Sequence, residues 1–143
     1  MIFNSKYQLY LQQRSQSKAS FPLYWDISAS EHLKPGETLK QSAERGLTEE
    51  LSIKTKLKRI RTQHTQRNEF NKNGQKIIEN EIVELYAGLY SGKIKIDPNE
   101  VKTGKFISLP KLKTLMRQGK IKLTPWALDE IDYLNNLKLL EIF

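Results

Sequence analysis

Residues 36–53, GETLKQSAERGLTEELSI, constrain this chain more than any other stretch. Pro35 and Gly36 make a turn, and Glu37 opens a helix. Leu39, Ala43, Leu47 and Leu51 recur every four residues, so one stripe of that helix is apolar and faces a core. Glu37, Glu49 and Glu50 crowd its other surface. Gly46 conflicts with the pattern, because glycine in a helix interior costs roughly 1 kcal/mol relative to alanine. Acidic residues on a helix after a glycine turn point to a divalent-cation site. The stranded glycine points to an alteration of that site.

The rest of the chain alternates strand and helix patterns. Gln8–Gln13 reads as a strand after an Asn4-Ser5-Lys6 turn, with so little chain ahead of it that a preceding strand is nearly absent. A polar loop, Arg14–Ser20, leads into an aromatic entry, Phe21–Trp25, and a short strand from Asp26. Ile53–Gln66 reads as a strand with one wet face. Asn68–Gly74 reads as a turn-rich loop, with Asn73-Gly74 as a hairpin signal. Lys76–Tyr90 is the longest strand, its second half apolar enough for a central place in a sheet. A turn at Asp97–Glu100 precedes a short strand, Lys105–Leu109. Pro110 suits the first turn of a helix ending near Gln118. Thr124 and Pro125 suit the cap and first position of a last helix running through Trp126, Leu128, Ile131, Leu134, Leu137 and Leu140. Strands interleaved with three helices indicate an α/β or α+β sandwich.

Composition narrows the partners. A length of 143 residues fits one domain spanning 1–143, and no run of about 18 apolar residues suggests a membrane span. With no cysteine there is no disulfide and no thiol catalysis, and the start lacks a secretory pattern; a cytoplasmic protein is expected. The net charge of +8 is spread along the chain without interleaved aromatic residues. A solvated basic surface therefore accounts for it better than nucleic-acid binding. Some of these cations are available for an anionic small molecule such as a diphosphate.

The 36–53 stretch resembles the signature of Nudix proteins: Gly, five residues, Glu, seven residues, then Arg-Glu-apolar-x-Glu-Glu-x-Gly-apolar. Glu37 takes the first Glu position, and Arg45 to Ile53 follow at the same spacing. Glu31 replaces the leading Gly, Gly46 replaces the Glu after Arg, and Ser52 replaces the late Gly. Further matches run from about residue 3 to 135: Arg14–Lys18, Phe21-Pro22, Trp25–Ser28, His32, Glu79–Glu81, Glu100-Val101 and Thr124–Trp126. They resemble the branch containing isopentenyl-diphosphate isomerase and its hydrolase-type relatives.

This resemblance implies a Nudix-like α/β/α sandwich with a mixed sheet, short of an N-terminal strand. A bare sheet edge there suits a second copy, hence a homodimer. The resemblance also implies Mg²⁺, or Mn²⁺, held by the Gly36 carbonyl, Glu37, Glu49 and Glu50. Arg45 would orient a ligand carboxylate. Arg14, Lys18 and His32 would meet a small-molecule diphosphate substrate, and Glu50 and Glu81 would act in catalysis. Three functions follow: Mg²⁺-dependent hydrolysis of a diphosphate, binding with little or no turnover, and isopentenyl-diphosphate isomerisation. Ser30, at the isomerases' cysteine position, and Trp25-Asp26-Ile27-Ser28 favour hydrolysis. If only the carboxylate at 46 is lacking, Gly46→Glu should raise activity.

Overall fold

The computed structural model describes residues 1–72, 74–137 and 143. Six strands and three helices follow in the order β1 (Ile2–Phe3), β2 (Leu9–Arg14), β3 (Trp25–Asp26), α1 (Leu39–Leu51), β4 (Lys58–Lys72), β5 (Gln75–Leu89), β6 (Val101–Ile107), α2 (Leu109–Arg117) and α3 (Pro125–Asn135). The sheet runs β3-β2-β1-β5-β4, with β6 along the other edge of β2. Only the pairing of β1 with β5 is parallel among the described strand pairs. The N-terminal strand is present but two residues long, and those two residues join the β2–β6 half of the sheet to the β4–β5 hairpin.

Strand alternation sends neighbouring residues to opposite faces, and each face has its own core. Ile2, Tyr10 and Tyr86 pack on the α1 side with Leu47, Leu51, Ile53, Leu57 and Val101. Phe3, Leu9, Leu11, Leu85 and Ala87 pack on the other side with residues of α2 and α3 such as Leu112, Ile131 and Leu134. The result is the expected α/β/α layering around a mixed sheet.

Helix α1 begins later than the sequence suggests. Thr38 is its N-cap, and Thr38 with Gln41 forms a capping box. Glu37 lies ahead of the helix in the turn Lys34–Glu37, closed by its own N–H on the Lys34 carbonyl at 3.1 Å. Gly36 takes φ +82° there, as position i+2 of such a turn with Pro35 before it requires. The helix ends at Ser52, left-handed at φ 54°, with the Ile53 N–H reaching back to the Leu47 carbonyl at 3.0 Å. A residue with a Cβ therefore sits where the resembled signature has glycine.

Other boundaries also move. Asn68–Lys72 belongs to β4 rather than to a loop, because Lys72 pairs with Gln75 and leaves a two-residue hairpin connection. Asn73 itself lies outside the described residues. β4 starts at Lys58, five residues after the expected start, and β6 starts four residues before it. α2 and the cap of α3 fall where proline and threonine place them. α3 stops at Asn135; Leu137 follows the helix and still packs on the core, and Leu140 lies outside the described residues.

Candidate functional site

The site is built around Arg45. Its Nε donates to Glu37 Oε1 at 2.9 Å and its Nη2 to Glu37 Oε2 at 3.2 Å, a bidentate pair. Its Nη1 donates to Glu31 at 2.8 Å and to Glu49 at 3.1 Å. Nη2 also reaches the His32 carbonyl at 2.9 Å. One guanidinium thus gathers three carboxylates from the loop before the turn, the turn itself and the helix. Its hydrogen bonds hold the Glu37 carboxyl below the usual carboxylate range. Lys34 adds a second positive charge 3.7 Å from Glu49, so two cations face three carboxylates and one negative charge remains in excess, in a chain whose net charge is +8.

Glu50 lies elsewhere than expected. It does not share the exposed surface of Glu49, because consecutive helical residues diverge by about 100°. It is 4% exposed, and it accepts a hydrogen bond from Gln12 Nε2 at 2.6 Å on β2. Burial pushes its carboxyl up to about 8; the Gln12 bond opposes this, and the negative charges of Glu31 and Asp26 add to it. Gln12 is itself buried, and its Oε1 has no hydrogen-bond partner among the described residues.

A cleft of about 320 Å³ opens between α1 and the β4–β5 hairpin. Ser30, Glu31, His32, Ser42 and Gly46 line one wall, and Gln66, Glu81, Trp126 and Glu130 line others. His32 Nε2 meets Glu81 Oε1 at 2.8 Å across it. The structure therefore brings the predicted residues His32 and Glu81 together. It gathers Glu37, Arg45 and Glu49 beside them through Glu31.

Arg14 and Lys18 are not among the residues lining this cleft. Arg14 pairs with Asp26 at 3.2 Å and donates to the Ser20 carbonyl. Lys18 pairs with Glu100. Their charges are committed to the protein's own carboxylates.

Among the described residues, one set of three side chains brings its ligand atoms within 4.8 Å of one another: His64, Asp129 and Glu130. Glu37, Glu49 and Glu50 do not form such a set. The oxygens of Asp129 and Glu130 are already held by Arg61 at 2.7 and 3.1 Å and by Gln66 at 3.2 and 3.0 Å. This group ties α3 to β4. It answers for His64, which has no partner visible in the sequence.

Sequence reasoning also missed Gln12, Glu31 and Asp26. Asp26 is fully buried and accepts hydrogen bonds from Arg14, Thr124, Trp126 and the Ile27 N–H. Trp126, a core or packing residue by its sequence rather than a base-stacking platform, also forms a wall of the cleft. The signal for Glu31 was its charge at a position where the resembled signature has glycine.

Comparison with known proteins agrees with this architecture. Against solved structures, the chain superposes on a Deinococcus radiodurans protein with a TM-score of 0.72 at 20% identity, covering 92% of this chain and 77% of the other. It superposes on a MutT protein from Methanosarcina mazei with a TM-score of 0.68 at 23% identity, covering 96% and 91%. These likenesses show the fold. In sequence, it is 33% identical over 125 residues to an isopentenyl-diphosphate Delta-isomerase of Pectobacterium atrosepticum, covering 87% of this chain and 68% of that one. It is also 33% identical over 119 residues to an uncharacterized Nudix hydrolase of Listeria innocua, covering 83% and 66%. The matched region thus spans about two thirds of those relatives. With the NUDIX domain model matching residues 1–127, the chain belongs to the Nudix family.

Proposed function

We propose that this chain hydrolyses a diphosphate linked to another moiety, with Mg²⁺ or Mn²⁺ as cofactor. The observation that carries the reading is the anionic excess around Arg45 at the edge of a cleft. The donor set suits such an ion by its chemistry, while in this structure Glu37, Glu49 and Glu50 do not converge within 4.8 Å and would have to draw together on binding. It consists of carboxylate oxygens, the hard ligands these cations prefer, and it adjoins a buried amide oxygen on Gln12 that lacks a partner. Glu37, Glu49 and Glu50, with the Gly36 carbonyl, would hold the ion, which when bound neutralises phosphate oxygens and raises the electrophilicity of phosphorus.

The chain's own residues do the rest. Arg45 fixes the orientation of Glu37 and Glu49. The His32 contact fixes Glu81 in the cleft, where its carboxylate accepts the proton of an attacking water. The water oxygen bonds to phosphorus and the bridging P–O bond breaks, its electrons leaving with the second phosphate.

A second reading, isomerisation of a five-carbon diphosphate, draws on the 33% identity to an isomerase. Ser30 lines the cleft where that branch carries cysteine, and a hydroxyl is a poorer proton donor than a thiol.

The test is a panel of nucleoside, sugar and prenyl diphosphates assayed with Mg²⁺ and Mn²⁺. Turnover of at least one, abolished by Glu49→Gln, is expected. No turnover of any, with no metal-dependent shift in melting temperature, overturns the proposal and leaves binding without turnover. Proton exchange into a five-carbon diphosphate without hydrolysis selects the isomerase.

A further inference from the structure

We propose that Glu31 is the carboxylate this site uses in place of the one absent at Gly46. The inference rests on the cation-dependent reading above. In sequence, the two departures are separate: a glycine where a glutamate belongs, and a glutamate where a glycine belongs. In space they are one exchange. The Glu31 side chain lies against Gly46. A Cβ built on that glycine would come closer to Glu31 Cγ than van der Waals contact allows, and would lie 3.3 Å from its Cβ. The room left by the missing side chain is filled by the incoming one.

The carboxylate that arrives this way is aimed at the site rather than at solvent. Its Oε2 takes the same Arg45 Nη1 that holds Glu49, at 2.8 and 3.1 Å. The Glu31 side chain is 24% exposed, against 52% for Glu49. Its charge is also felt by Glu50 on the buried side of α1. Beyond Glu50, the unpartnered Gln12 Oε1 is an independent sign that the region has hydrogen-bonding capacity left for a ligand or its water. Glu31 thus shares Arg45 with the half-buried Glu37 and the exposed Glu49, its charge reaches the buried Glu50, and it lines the cleft where substrate would lie. The number of carboxylates is kept while one of them changes its point of attachment.

This changes what Gly46→Glu should do. A side chain at 46 has to expel Glu31, so the single substitution swaps one carboxylate for another and adds a steric conflict. The functional counterpart is the double variant Glu31→Gly/Gly46→Glu.

The experiment is Mn²⁺ binding, read by electron paramagnetic resonance of the free ion and by calorimetry, on the natural protein, Glu31→Gln, Gly46→Glu, Glu31→Gly/Gly46→Glu and Glu49→Gln. Circular dichroism checks folding. Glu31→Gln is expected to weaken Mn²⁺ binding by about tenfold or more, as loss of a ligand-shell carboxylate does. Gly46→Glu alone should not strengthen it, and the double variant should return it to within about threefold of the natural protein. If Glu31→Gln binds Mn²⁺ as the natural protein does while Glu49→Gln does not, Glu31 is only a salt-bridge partner of Arg45 and the proposal fails while the cation reading stands. If the natural protein binds no Mn²⁺, both fail. Should Glu31→Gln fold poorly, the double variant decides: recovered binding supports the exchange, and lost binding overturns it.

Discussion

At the scale of single residues, the two adjacent acids of α1 have opposite environments. Glu49 is exposed and bound to Arg45, whereas Glu50 is buried against Gln12 with its carboxyl raised to about 8. A raised carboxyl means that the folded state holds a proton the unfolded chain releases near 4.5. Glu50 therefore contributes its full stability below that pH and loses it as pH rises toward 8, at about 1.4 kcal/mol per unit. In metal-free protein, urea unfolding at pH 5.5 and 7.5 should show the natural chain losing roughly 2 kcal/mol relative to Glu50→Gln. Parallel pH profiles for the two would mean that Glu50 is already ionised when folded. The spacing of Glu37, Arg45, Glu49 and Glu50 was readable in the sequence because it repeats a known signature. The Glu31–Gly46 exchange was not, because it depends on a loop folding back over the helix. Nor was the difference between Glu49 and Glu50, since spacing carries no burial.

At the scale of elements, cap and turn chemistry was the most informative signal. Pro110, Thr124 and Pro125 placed the starts of α2 and α3, and the apolar second half of β5 gave its central position. The start of α1 lies two residues later than the sequence suggests: Glu37 reads as a first-turn acid, but Thr38 caps the helix, which begins at Leu39, and leaves Glu37 in the turn for Arg45. Thr38→Ala should therefore cost about 1 kcal/mol, seen as a lower urea midpoint at unchanged denaturant slope. Thr38→Ser should recover most of it. Equal stability of all three would show that the exposed capping box contributes nothing. Asn68–Lys72 was mistaken for a loop because its residues are polar. They form strand because β5 offers a full ladder of partners to a long hairpin, and Phe70 stacks edge-on against Phe21 at 4.9 Å. Local propensity yields there to tertiary pairing.

At the scale of the molecule, what the sequence could not convey is how distant segments are joined, and Asp26 is the clearest case. It sits on β3, fully buried, and joins two other parts of the chain, the end of β2 and the start of α3. Arg14 at the end of β2 pairs with it at 3.2 Å, Thr124 at the cap of α3 donates at 3.2 Å, and Trp126 Nε1 lies 2.9 Å from both of its oxygens. The Ile27 N–H completes the set at 2.8 Å. Burial alone raises its carboxyl, while Arg14 and the donors oppose that. The pair is worth keeping only as a complete set, because a buried charge that loses its partner costs far more than the pair gains. Asp26→Asn would point an amide N–H₂ at one group of donors and leave Arg14, whose side chain is 16% exposed, without a counter-charge. The expected loss is roughly 3–5 kcal/mol, a large share of the 5–15 kcal/mol typical of a domain. A double-mutant cycle with Arg14→Gln, read by urea unfolding, separates the pair from the rest: coupling above about 1 kcal/mol is expected. A loss under about 1 kcal/mol for Asp26→Asn would mean that water reaches the cluster and that the clamp is not structural. The same cluster holds Trp126 in the cleft wall, so the variant should also weaken whatever ligand the cleft takes, under conditions where the protein remains folded.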